Sequence, residues 1–338
     1  MKKNTSLKDI ARHLGVSVAL VSYVLNGKAE ENRIGEEIAQ KVRKAAEELN
    51  YQPNYLAKSL RASKTHTIGL VVADIKYHFT AGITRSIEAA AKKEGYTVIL
   101  GNSHEDHREF EELITVFMNR KVDGLILIAV ERSEPQIKRL LKDKIPFVLI
   151  DRVFPGIPTT NILLDNYLVA YQCVEYAIKR GYKRIGFVNF KTTLFHRLER
   201  NRGYAAALQA YRLPMNTKWE KAIREERLAQ DTANAVKELI TQTPACDAIV
   251  FASDILAVTG LKVMNQLKIA VPRDVAVVSF DEAEAFDLFS CSITHAKQPV
   301  EEIGKIAVTT LIEKMAGKKV PSEIKLKSSF IVGGSCGE

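Results

Sequence analysis

Residues 6–27, Ser-Leu-Lys-Asp-Ile-Ala-Arg-His-Leu-Gly-Val-Ser-Val-Ala-Leu-Val-Ser-Tyr-Val-Leu-Asn-Gly, constrain the fold more than any other stretch of the chain. They predict two short helices joined by a tight turn. Ser6 stands three residues before Asp9, a capping box in which Asp replaces the usual Glu or Gln. Leu7, Ile10, Ala11 and Leu14 recur at helical spacing, and Gly15 stops the helix. Ser17 caps a second helix in which Ala19, Val21, Val24 and Leu25 are apolar, and Asn26-Gly27 ends it. Helices joined by so short a turn cross steeply, as in a helix-turn-helix, and the second can enter a DNA major groove. On that helix Ser17, Val18, Ala19, Ser22 and Tyr23 are the exposed candidates for DNA contact. A serine can reach a phosphate, and small apolar groups such as Val18 and Ala19 can meet thymine methyls.

The charge distribution agrees with this reading. Residues 1–64 hold 12 Lys/Arg against 7 Asp/Glu, while the other 274 hold 37 against 33, so the basic excess concentrates beside the motif, where phosphates would use it. A length of 338 residues predicts two or three domains. The N-terminus lacks an apolar signal region and no apolar run is long enough to span a bilayer, which points to a cytoplasmic protein with no membrane partner. Cys173, Cys246, Cys291 and Cys336 are scattered without Cys-x-x-Cys spacing and read as reduced structural thiols.

A third amphipathic helix is predicted from about Glu36 to Leu49, with Ile38, Val42, Ala45, Ala46 and Leu49 inward. Pro53 imposes an extended turn, Tyr55–Ala62 has the makings of a short helix, and residues 63–67 read as linker. From Thr67 onward short apolar runs alternate with helical segments near 80–95, 107–120 and 134–143. The runs lie at 68–73, 97–100, 124–128 and 147–150, and they resume at 184–188, 248–251 and 275–280. A helix is expected near 299–316 and a final strand near 324–332. This alternation predicts two parallel sheets covered on both faces, hence two α/β lobes with a ligand cleft between their strand ends.

These residues resemble the LacI/GalR family of bacterial transcription regulators over essentially the whole chain. The likeness rests on Leu7-Lys8-Asp9-Ile10-Ala11 with Gly15-Val16-Ser17, and on Val21-Ser22-Tyr23-Val24-Leu25-Asn26. Leu49-Asn50-Tyr51-Gln52-Pro53-Asn54 with Ala57, Leu60 and Arg61 resembles the end of helix three and the hinge. Asp151-Arg152, Gly181–Gly186, Ala252-Ser253-Asp254, Ser279-Phe280-Asp281 and Gln298-Pro299 resemble the core signatures. The implied fold is an all-α helix-turn-helix headpiece (1–52), a hinge helix and linker (53–66), and a two-lobed α/β periplasmic-binding-protein-like core (67–338). Within that core the expected N-lobe is about 67–154 and 297–318 and the C-lobe about 163–287 and 322–332, with crossings near 152–162, 285–296 and 316–323.

The resemblance implies a homodimer that grips a palindromic operator and is controlled by a small molecule, most often a sugar, in the cleft. The implied DNA contacts are Ser6, Ser17, Val18, Ala19, Ser22, Tyr23, Asn26, Tyr51, Asn54, Ala57 and Leu60, with Leu60 as a minor-groove wedge. Tyr23 replaces the family's usual Arg, so its operator preference does not carry over. The loop Gly27–Arg33 is about three residues longer than usual and offers Lys28 and Arg33 either to the DNA backbone or to solvent. Gly35 stands where a capping Ser is common, and Gly333 where the family often has Arg.

For the cleft, Asp254 and Asp281 follow strands and suit bidentate bonds to sugar hydroxyls, with a helix cap and an ion pair as their structural alternatives. Arg200 matches the family's cleft arginine and could grip hydroxyls or an acidic effector. Asp151, the loop residues Tyr77, His78 and Phe79, and Leu228 (where relatives carry a stacking aromatic) complete the expected effector site. Trp219 is expected on a surface strand, and His104-Glu105-Asp106-His107 reads as a strand–helix junction rather than a metal site. No Gly-x-Gly-x-x-Gly, Walker loop or nucleophile elbow is present, which argues against an enzyme or a cofactor. The alternatives are a regulator whose core docks a phosphorylated carrier protein, and a solute-binding protein. The absence of leucine heptads after Ile331-Val332 favours a dimer over a tail-mediated tetramer.

Overall fold

A computed structural model of the chain describes residues 5–51 and 64–337, which fall into two compact units divided after Thr65. Asn54, Ala57 and Leu60 lie outside the described residues.

The first unit is a three-helix headpiece of α1 (Leu7–Leu14), α2 (Val18–Leu25) and α3 (Glu36–Glu48). Ser6 accepts the Asp9 amide while Asp9 accepts the Ser6 amide, closing the capping box. Gly15 ends α1 at φ 66°, a left-handed turn that glycine enters without a Cβ penalty. The Ser17 hydroxyl accepts the Leu20 amide at 3.1 Å and so starts α2 at once. Ile10, Val21, Val24, Ala39 and Val42 are sealed inside. Ile38 is 41% exposed and Ala39 takes the inward place expected of it, because the buried face of α3 runs through 39, 42, 45 and 46. In the long loop Ala29 is buried and accepts the Ile34 amide at 2.8 Å, so the extra residues fold back onto the headpiece core.

The second unit holds two six-stranded sheets. The first contains β1 (Thr67–Val72), β2 (Thr97–Asn102), β3 (Gly124–Leu127), β4 (Phe147–Ile150), β5 (Asn161–Leu164) and β11 (Glu323–Leu326), in the order β11-β5-β4-β3-β1-β2 and parallel throughout. The second contains β6 (Ile185–Phe190), β7 (Glu220–Ile223), β8 (Ala248–Phe251), β9 (Ala276–Phe280), β10 (Thr294–Lys297) and β12 (Ser329–Ile331), in the order β12-β10-β9-β8-β6-β7. Only its β10–β12 pair is antiparallel.

Helices α4 (His78–Lys93), α5 (His107–Asn119), α6 (Glu134–Lys142) and α11 (Val300–Met315) belong to the first lobe. To the second belong α7 (Asn166–Lys179), α8 (Phe195–Ala210), α9 (Leu228–Thr241) and α10 (Asp254–Gln266). Side chains of the second sheet alternate between two apolar layers: Ile185 and Phe187 face one, Val188 and Phe190 the other.

The chain changes sheet one element later than the sequence suggests, at 164–166, 297–300 and 326–329. Strands β5 and β11 extend the first sheet, and β10 the second, because each finds its ladder partner there. The expected final strand is likewise two strands, one in each sheet. Trp219 is 2% exposed and packs into the second lobe's core, its indole donating to the Pro244 carbonyl at 3.3 Å, so it is not a surface residue. Gly333 lies where any Cβ would come within 2.5 Å of the Ser292 carbonyl oxygen, which leaves no room for the family's Arg.

Candidate functional site

In the headpiece, α2 buries Val21 and Val24 and turns Val18, Ala19, Tyr23 and Asn26 outward, with Ser22 half-buried beside them. Val18 and Tyr23 are each about 40% exposed, large apolar side chains on the outer face of the helix. Ser6 and Ser17 are exposed but engaged as caps, and Asn26 donates to the Ser22 carbonyl at 2.7 Å, closing the end of the helix. Tyr51 is half-buried against the headpiece core, so at least part of its expected role is packing.

In the second unit, the strand ends of both sheets converge on one cavity. Tyr77, Phe79, Asp151, Arg200, Asp254 and Asp281 line it, joined by Arg152, Phe190, His196, Arg197 and Gln298. Leu228 is not among them: it opens α9 and packs against the second lobe's core, where the turn Glu225–Arg227 directs it. His78 does not line the cavity either.

Asp151 and Asp281 directly follow β4 and β9 and both adopt left-handed backbone, at φ 63° and 72°. Aspartate tolerates that conformation better than most residues, and here it turns both carboxylates into the cleft. Ser253 is the N-cap of α10, while the Asp254 carboxylate in the first turn accepts from the Ile255 amide, so part of its role is to complete the helix start. Arg200 stacks on Phe280 at 3.6 Å, donates to Asn166 at 2.8 Å and to the Ala252 carbonyl at 2.5 Å, and stands 3.8 Å from Asp281. Arg152 forms two 2.6 Å hydrogen bonds with Glu105. That ion pair, with Asp106 capping α5 and His104 bonded to Glu109, accounts for the acidic cluster at 104–107. Across the cleft, Tyr77 hydrogen-bonds Glu225, which also holds Arg197. Glu131 accepts the Thr192 hydroxyl and the Thr193 amide, each at 2.8 Å.

Burial raises Asp151 and Asp254 above the ordinary carboxylate range despite nearby arginines, and pushes Asp281 up to about 7. Burial also holds His196 neutral, helped by Arg152, Arg200 and Arg197. His196 and Arg197 escaped the sequence reading, yet they lie four and three residues before Arg200 on α8, and that helical spacing is the signal that would have found them. Among the described residues no helix is long and apolar enough to cross a membrane, and no group of three His, Cys, Asp or Glu could hold a metal.

Residues 6–54 match the lacI family of bacterial regulatory proteins, and residues 174–336 match a periplasmic binding protein-like domain. The chain belongs to the LacI family. The ribose operon repressor of Escherichia coli strain K12 is 29% identical over 316 residues, covering 92% of this chain and 93% of the repressor. A complex of the transcriptional regulator CelR with cellobiose matches 98% of this chain and 100% of its own, at 25% identity and a TM-score of 0.73. The lac repressor dimer bound to operator and the anti-inducer ONPF covers 99% and 100%, with a TM-score of 0.88 at 19% identity, a likeness of fold. As a LacI-family member the chain is a DNA-binding transcription regulator, not an enzyme.

Proposed function

We propose that this LacI-family chain is a homodimeric repressor whose cleft takes a small polyol, most simply a sugar, as effector. One observation carries the effector assignment. Among the described residues, four polar atoms around the cavity are buried without a hydrogen-bond partner: Asp151 Oδ1, Arg152 Nε, His196 Nδ1 and Gln298 Oε1. Such atoms are costly unless something pairs with them. Two accept, one donates, and the imidazole nitrogen does either according to its tautomer, a mixed demand that several hydroxyls on one small molecule meet together. Phe79 and Phe190 supply apolar surface for a sugar's C–H face. The names of the ribose operon repressors and the CelR–cellobiose complex lie in the same direction.

In this reading Val18, Ala19, Ser22 and Tyr23 meet base edges and Leu60 wedges the minor groove, while Ser6, Ser17, Asn26, Tyr51, Asn54 and Ala57 position the headpiece and hinge. Dimerisation is supported by Leu100 on the edge strand β2, 44% exposed, where an unpaired strand edge favours a partner. Thermal-shift and calorimetric screening of mono- and disaccharides tests the effector. A shift with a sugar supports it, and no shift across the panel overturns it in favour of a protein corepressor. Sedimentation at micromolar concentration tests the dimer.

A further inference from the structure

The cleft does not treat all its polar groups alike. Arg152 is committed to Glu105, Arg197 to Glu225, and Arg200 to Asn166 and the Ala252 carbonyl. Gln298 already donates to Asp281 at 2.6 Å. His196, by contrast, makes no side-chain hydrogen bond among the described residues: Nδ1 has no partner there, and Nε2 stands 3.7 Å from Asp151 Oδ2, too far for one. His196 opens α8 in the second lobe, and Asp151 follows β4 in the first, so the pair faces across the cleft from opposite lobes. Both are more than nine-tenths buried. Burial, aided by three neighbouring guanidiniums, keeps the imidazole uncharged, so it offers one donor and one acceptor rather than a charge.

Resting on the polyol reading, we propose that His196 is the specificity-determining residue of the cleft, gripping one effector hydroxyl jointly with Asp151. A hydroxyl both donates and accepts, so a single such group can donate to the Asp151 carboxylate while accepting from the imidazole N–H. It thereby joins the lobes at a point where their own side chains fall short of each other. A sugar with that hydroxyl missing or inverted leaves two buried groups unpaired, which is how a hydrogen-bonding site discriminates between close analogues. The arginines, held by protein partners, contribute affinity that is less sensitive to the configuration of any one carbon.

The experiment compares the full-length protein with its His196→Phe and His196→Gln variants by calorimetric titration against pentose and hexose epimers. The panel is D-ribose, D-arabinose, D-xylose, D-glucose, D-galactose and D-mannose, with 2-deoxy-D-ribose as a one-hydroxyl deletion. Wild type is expected to separate at least one epimer pair about tenfold, the scale of one well-made hydrogen bond. His196→Phe, which keeps the ring and loses the nitrogens, is expected to collapse that ratio toward one. His196→Gln, which keeps a donor and an acceptor, is expected to retain part of it. A uniform loss across all sugars in both variants shows a merely structural histidine and overturns the assignment. The Gln variant alone decides the matter if the Phe variant does not fold. Wild type binding none of the panel overturns the polyol reading itself, a different failure from binding without epimer discrimination, which overturns only the role of His196.

Discussion

Asp281→Asn should make the effector-free protein more stable above neutral pH while weakening its hold on the effector. Burial beneath the strand ends raises this carboxyl from 3.8 to about 7, against the attraction of Arg200. The folded protein therefore keeps a proton that the unfolded chain releases near pH 4. As pH rises from about 4 to about 7, unfolding gains an ionisation that folding resists, so stability falls; above 7 the loss is complete and constant. About three units of displacement at 1.36 kcal/mol each amount to about 4 kcal/mol. Asparagine imitates the protonated acid at every pH. Its side-chain oxygen can still accept from Gln298, and it tolerates the left-handed backbone at this position. Wild type and variant should thus melt together near pH 4 and diverge to a gap on the order of 10 °C by pH 8. The measurement is a series of thermal melts from pH 4 to pH 9 without effector, paired with sugar titration at pH 8. A variant less stable than wild type at pH 8, or a gap independent of pH, refutes the reasoning, since either would mean that Arg200 needs the charge more than the fold resents it.

Ser17→Ala removes the acceptor of the Leu20 amide and should cost the headpiece about 1 kcal/mol, lowering both its helicity and its operator affinity; operator binding unchanged in a mobility-shift assay counts against the role of α2. Leu60→Ala should reduce operator affinity while the core melts as in wild type, and full retention of DNA binding removes the wedge. Glu131→Gln takes the charge from the acceptor that holds Thr192 and Thr193 across the cleft. Hydrogen bonds to charged groups are the stronger ones, so effector affinity should fall several-fold through faster release, which stopped-flow dissociation measures. An unchanged release rate makes that contact incidental to closure.

The headpiece was legible in the sequence because its determinants are local. Ser6, Gly15 and Ser17 act within one turn of themselves, and the buried positions repeat at helical spacing. Even there Ile38 misled, since apolarity alone does not say which of two adjacent residues faces inward. In the core, the strands were legible as apolar runs, but their assignment to sheets was not. Ile162-Leu163-Leu164 carries no mark of the lobe it joins; that depends on its ladder partners in the first sheet, Ile150 on one side and the distant Ile324 on the other.

The same division between local and distant causes runs through the cleft. Asp254 and Asp281 could be placed from sequence because topology aims the residues that follow parallel strands into the crevice. Leu228 was misplaced because a short turn at 225–227, unseen in the sequence, sends it into the core. His196 carried no signal of its own, being one histidine on a helix, and its spacing from Arg200 gains meaning only once α8 is known to line a cavity. What makes it functional is the approach of the other lobe, which brings Asp151 to within 3.7 Å and stops there. A residue whose role is created by two lobes meeting cannot be read from either lobe alone. The residues that switch a two-lobed regulator should therefore be concentrated among those the sequence leaves unremarkable.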